Sequence, residues 1–399
     1  MDNVREILRG AAAPLTAFAV MGVLAACALS LMSTPVTWPF VAAVLAAAVG
    51  GPASMAGQLD TGQVPAVVHG TVGIVPLGVA LPGAVVFCVL FAGAVRVPMR
   101  SLALRAAGAA GAMGAALIAV LAAGAATVRV SVPVGNTGTM RETVLVLRPD
   151  AGATVLGGSV ALIVLIGFCV LLTLLPARRV VARVALLGPL VPIAVALAVA
   201  SFVAAQRPAV AGVAVLFGVN AVLAAVLAAF GAPPPAVLGG PLSEPLRTGA
   251  GGHEWLLGGA AGPVAVRLAV LTAFVLLGAV LLAVAPGPGS GRWQRAGLRG
   301  LIAGTTLALV FAGMAVAGAG SLRLGVAVLV FDVPVLDLRV AAGVWWALLA
   351  GAAGGGLAGV LGSLVADARA PLPAVTAAPV PVAVPQTVPG AGQSTSERG

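Results

Sequence analysis

Apolar residues in this chain come in runs of the length a membrane crossing needs, about 20 positions. Within each run they occupy every side of a 3.6-residue helix rather than one face, as in helices surrounded by lipid. About ten segments qualify: 11–32, 37–57, 72–95, 106–127, 154–175, 184–204, 209–230, 263–285, 297–318 and 341–365. The second is the weakest, because its apolar stretch from Trp38 to Val49 is short and runs into Gly50-Gly51-Pro52. The pattern predicts an all-α polytopic membrane protein, with small extended connections outside the bilayer.

Two connections carry a strand pattern. Thr127 to Val134 alternates apolar and polar residues, Gly135-Asn136-Thr137-Gly138 is turn material, and Glu142 to Leu147 resumes the alternation. Leu322 to Val340 is a second connection rich in Val and Leu. From about Pro371 the chain is rich in Pro, Ala and Val, then in Gly, Gln and Ser, which predicts a disordered tail with polyproline-like stretches.

The two halves resemble each other. The run from Trp38 to Pro52 matches the run from Phe217 to Pro233. Each is followed by a polar connection with an acid and a histidine at the same separation: Asp60 and His69, then Glu244 and His253. Arg129 and Arg323 open the two Val-rich connections. A duplication follows, with one five-helix repeat at 1–183, a second at 184–369 and the tail at 370–399.

Charge sharpens the topology. Of 399 residues 61% are hydrophobic and 8% charged, too few charges to solvate a soluble protein of this length. All 21 basic residues are arginines, set in small groups between the apolar runs. The net charge of +10 therefore reads as membrane anchoring, not nucleic-acid binding. If all ten segments cross with the N-terminus inside, 11 of the 21 arginines are cytoplasmic, which is no bias. If 37–57 and 209–230 are re-entrant, 13 of the 21 are, and the short clusters all face the cytoplasm.

The acid–histidine connections are the first candidate site. Non-helical backbone at membrane depth persists only where protein or a watery cavity satisfies it, and matching breaks in two repeats mark a carrier's binding site. On that reading Asp60, His69, Glu244, His253 and Glu254 bind a substrate, ion or proton. The competing reading makes them solvated loop residues or helix caps, since none lies inside a clear span.

Glycine gives a second signal. Gly351, Gly355 and Gly359 form a double GxxxG ladder, Gly300 and Gly304 repeat the spacing, and Gly108, Gly111 and Gly114 crowd another span. Small residues at helical spacing let helix backbones approach closely, within one chain or between two copies. The lipid bilayer is the one partner the pattern names directly.

Other motifs exclude more than they include. Leu24-Ala25-Ala26-Cys27 resembles a lipobox, but apolar sequence continues through Met32, so an intact first span is expected. Cys27, Cys88 and Cys169 are scattered, with no CxxC spacing. Without lysine there is no Walker A motif, and no G-x-S-x-G elbow occurs. His253-Glu254-Trp255-Leu256-Leu257 lacks the second histidine of a zincin. No catalytic residue, cofactor or metal is expected. Trp38, Trp255, Trp293, Trp345 and Trp346 fall at span ends, where interfacial tryptophans belong.

The segments MDNVREILRGAAAPLTAFAVMGVL and GPASMAGQLDTGQVPAVVHGTVGIVPLG, with the Arg-only composition, the multi-span layout and the Pro-rich tail, resemble the streptophobe proteins. These are very hydrophobic integral membrane proteins of Streptomyces and related actinobacteria, without an established activity. The likeness covers nearly the whole chain. It implies a plasma-membrane location and offers no catalytic residue to carry over. The leading expectation is a transporter- or permease-like protein; the alternative is a non-transporting scaffold or cell-envelope complex subunit. Transport predicts a polar cavity collecting Asp60, His69, Glu244 and His253. A scaffold predicts a glycine-packed core with those residues in solvent.

Overall fold

The computed structural model describes residues 2–32, 36–60, 65–92, 99–134, 139–174, 178–232, 236–240, 278, 291–328, 331–341 and 343–369. Glu244, His253, Glu254, Trp255, the candidate span 263–285 apart from Gly278, the turn at 135–138 and the tail lie outside them. The first half runs α1 (Asp2–Leu31), α2 (Trp38–Ala48), β1 (Ala53–Asp60), β2 (Pro65–Val72), α3 (Leu77–Ala92), α4 (Met99–Ala122), β3 (Ala126–Val134), β4 (Thr139–Pro149) and α5 (Ala151–Leu174). Then come α6 (Arg178–Ala204), α7 (Pro208–Ala229), β5 (Ala236–Gly239), α8 (Arg292–Gly318), β6 (Gly320–Val328), β7 (Phe331–Val340) and α9 (Val344–Arg369).

Among the described residues seven helices are long and apolar enough to cross a membrane: α1, α4, α5, α6, α7, α8 and α9. This is a membrane protein. The helix α2, with 11 residues, is about 16 Å long at 1.5 Å per residue and cannot span a core of about 30 Å. It starts with Pro39 in its first turn and stops before Gly50, whose φ of 89° is left-handed. Helix α7 is built the same way, opening on Pro208 and stopping before Gly231 at φ 80°.

Contacts fix the directions. Arg105 of α4 meets Glu6 of α1, while Phe18, Gly22 and Val23 share a cavity with Ala116, Ala119 and Val120, so α1 and α4 run the same way. Gly188 packs on Leu307 and Val310, and Val191 and Pro192 face Phe311 and Met314, so α6 follows α8. Gly218 of α7 lies against Ala196, and Leu223 and Val226 lie against Val191 and Pro192, so α7 runs back along α6. Helix α7 therefore starts at the end of the layer where α6 stops and runs back into it, while α2 is too short to cross. Two apolar clusters form the core. One centres on Phe40, Leu45, Phe87, Phe91 and Leu117, the other on Ile193, Leu223, Leu307 and Phe311.

The expectation of an all-α fold with small extended connections needs correction. The strands join in one seven-stranded sheet, in the order β3-β4-β1-β2-β6-β7-β5. Every neighbouring pair is antiparallel. The two Val-rich connections are hairpins in it, and the polar connection after α2 is a third. The segment ASMAGQLD of β1 has little strand propensity of its own; it is held by ladders to β2 and β4 on both sides. The local orders β3-β4-β1 and β6-β7-β5 correspond. β3 and β6 are each 9 residues long, with Arg129 and Arg323 at the fourth position of each. The sheet gathers the ends of α4 and α8 and the starts of α3, α5 and α9, so it caps the helical layer at one end.

The most extensive helix contact is between α8 and α9. A Cβ on Gly355 would sit 2.8 Å from the Ala303 carbonyl oxygen, and one on Gly359 2.8 Å from that of Arg299. Gly304 presses equally on the Ala352 carbonyl, Gly300 on Val360, and Gly351 on Ala308. On α4 only Gly108 is crowded, against Ile7; Gly111 and Gly114 face open space.

Candidate functional site

The site grows from the register of the sheet. Arg148 of β4 stands opposite Ser54, Ser54 opposite Thr71, Thr71 opposite Arg323, Arg323 opposite Asp337, and Asp337 opposite Gly239. Residues directly opposite across a ladder share a face, so this is one polar row across six strands. Alternation sends Ala53, Val72, Leu322 and Leu338 to the other face. One face of the sheet is polar and the other apolar.

A cavity of about 620 Å³ lies along this row. Ser54, His69, Thr71, Arg323, Asp337 and Arg339 line it, with Met55, Leu324 and Leu336 adding apolar surface. Arg339 Nη2 donates to Asp337 Oδ2 at 2.9 Å, and Arg323 Nε stands 3.8 Å from Asp337 Oδ1. The hydrogen bond from Arg339 holds the Asp337 carboxyl below its ordinary range, with Arg323 adding to the effect. The same carboxylate pushes the Arg339 guanidinium up. Two arginines on one aspartate leave an excess of positive charge, and both keep most of their surface in solvent, at 58% and 63%. The arrangement can hold an anionic group through the free edges of the guanidinium forks.

Asp60 and His69 both belong to this sheet, not to the helical layer. Asp60 pairs with Pro65 at the tip of the first hairpin, and His69 pairs with Ala56. Four residues of strand separate the two levels, about 13 Å at 3.3 Å per residue, so they share a face without forming one ligand set. Sequence reading singled out His69 and Arg323 but not Ser54, Thr71, Asp337 or Arg339. The Asp-Leu-Arg alternation at 337–339 was the signal that would have found the last two.

The helical layer has a different cavity, of about 880 Å³, between α1, α3, α5 and α8. Phe18, Met21, Phe87, Met113, Leu165 and Val316 are among its walls, and among the described residues no charged or polar side chain lines it. At its edge the thiols of Cys88 and Cys169, both buried, meet at hydrogen-bond range between α3 and α5. Their separation in sequence gave no hint of this meeting. Among the described residues no group of three His, Cys, Asp or Glu could hold a metal ion.

No family model, no curated protein and no solved structure matches the chain.

Proposed function

We propose that the protein is a multi-pass plasma-membrane scaffold whose sheet binds an anionic partner on the outer side of the membrane. The observation that carries this reading is the split between the two cavities. The charged one lies in the sheet, and the one among the helices is walled by apolar side chains among the described residues. A polar substrate crossing the helical layer would meet no compensating group there. Asp60 and His69 belong to the sheet rather than to the helical layer, while Glu244, His253 and Glu254 lie outside the described residues.

The outer side follows from charge. Arg5, Arg9, Arg100, Arg105, Arg178, Arg179, Arg295 and Arg299 lie at helix ends remote from the sheet. The positive-inside rule puts those ends in the cytoplasm and the sheet outside. The matching strand orders, and the matching Pro-start and Gly-stop of α2 and α7, support a chain built from two similar halves. The matching limits of α2 and α7 keep a carrier as the second reading, since interrupted helices at equivalent places in two repeats are a carrier device.

Photo-crosslinking in intact cells tests the proposal. A photoreactive residue at Thr71 or Val67, on the polar face, is expected to capture a discrete adduct that weakens in an Arg323→Gln, Arg339→Gln background. The lipid-exposed Ile163 is the control. Adducts from Ile163 as strong as those from Thr71, or adducts indifferent to both arginines, would refute it.

A further inference from the structure

Two arginines are buried at corresponding places in the fold, one hydrogen-bonded to a carboxylate and one with no such bond among the described residues. Arg105 lies near the start of α4, which leads into β3; Arg299 lies near the start of α8, which leads into β6. They are 4% and 3% exposed. Arg105 is satisfied: its Nε donates to Glu6, and its Nη1 donates to the Phe91 carbonyl at 3.3 Å. Arg299 is not: its Nε and Nη1 are buried without a hydrogen-bond partner. Across the glycine contact, Ser363 of α9 is fully buried and its Oγ also lacks a partner. One turn toward the helix end, Arg295 donates to Asp367 Oδ2 at 3.4 Å while its own Nε is left over.

We propose that Arg299, Ser363 and Arg295 form a binding site for a phosphate-type anion at the end of α8 and α9 remote from the sheet. A buried guanidinium without a hydrogen-bonded counter-charge is unfavourable, and at Arg105 the chain itself supplies the carboxylate. At Arg299 no described side chain accepts from Nε or Nη1, and Asp367, bonded to Arg295, attracts it only without a hydrogen bond; the donors there are a guanidinium fork and a hydroxyl, which suit phosphate oxygens. Arg295 and Arg299 against Asp367 leave an excess of positive charge, as an anion site needs. Trp293, 74% exposed on the same helix end, marks the depth of the lipid headgroups. Basic pockets between spanning helices at that depth take anionic lipid headgroups; a free phosphate ion offers the same oxygens.

The test uses the full chain in detergent. Native mass spectrometry compares retention of phosphatidylglycerol with phosphatidylcholine, and thermal unfolding is followed with inorganic phosphate. Retained phosphatidylglycerol that drops about tenfold in Arg299→Gln, as loss of a charged hydrogen bond predicts, supports the site and assigns it to lipid. Protection by inorganic phosphate that disappears in Arg299→Gln, with the two lipids equal, supports the site and assigns it to a soluble anion. Comparison with the variant removes the general stabilising effect of phosphate. If Arg299→Gln does not fold, Ser363→Ala carries the test in the same direction. Equal lipid retention with no phosphate effect overturns the proposal. So does an equal loss in Arg100→Gln, an exposed arginine on the same side.

Discussion

Asn220 of α7 holds the first turn of α3 in place. Its side-chain oxygen accepts the Leu77 N–H at 3.0 Å, and its Nδ2 donates to the Val75 carbonyl at 3.1 Å. One amide side chain thus satisfies both backbone groups where the chain passes from the sheet into a helix, and Gly318 of α8 packs against the same pair. Asn220→Ala leaves both groups without partners. The expected loss is about 1–3 kcal/mol, read as a lower unfolding temperature in detergent. An unchanged unfolding temperature would mean the contact contributes nothing.

The glycine contact makes a sharper prediction. Gly355→Val drives a branched side chain into the Ala303 carbonyl and Leu307, and overpacking of this kind costs about 1–3 kcal/mol. Gly313 meets nothing within 4 Å of an added Cβ, so Gly313→Ala is expected to be neutral or to stabilise by about 0.5–1 kcal/mol. Thermal unfolding of the two variants side by side separates close packing from a general intolerance of side chains.

Cys88 and Cys169 offer a distance measurement between α3 and α5. Copper–phenanthroline oxidation is expected to protect both from alkylation in the unfolded protein, with reductant restoring both thiols. In Cys88→Ser, Cys169 should stay alkylatable after the same treatment. Alkylation of both Cys88 and Cys169 after oxidation of the unaltered chain would contradict the packing of these helices.

Acid should loosen the far strands of the sheet. The Asp337 carboxyl is held below its ordinary value by Arg339, so its contribution is present above the unfolded carboxyl value of about 4. It disappears as pH falls through the lower, folded value. Unfolding followed from pH 6 downward should show this fall, and Asp337→Asn should flatten it.

Much of the helical layer was legible, because a run apolar on all sides has one stable place, in lipid. The limits of α2 and α7 were half legible. Pro39 and Gly50, and Pro208 and Gly231, are visible start and stop signals. What holds α7 to its course is packing against Ala196, Val191 and Pro192, which no local pattern encodes. The sheet was the largest omission. Its hairpins at 126–149 and 320–340 carry alternation, yet β1 holds Gly57 and Gln58 and reads as a loop until β2 and β4 flank it. For the same reason the polar row was invisible: Ser54, Thr71, Arg323 and Asp337 come from four strands, and only register aligns them.

The most direct measurement of the central claim is the sidedness of the sheet. In a chain with Cys27, Cys88 and Cys169 replaced, single cysteines at Ser54 and at Ser101 are labelled in intact cells with a membrane-impermeant thiol reagent. A sheet that meets its partner outside predicts labelling at Ser54 and protection at Ser101, at the arginine-rich start of α4. Labelling at Ser101 with protection at Ser54 would place the sheet in the cytoplasm and contradict the account.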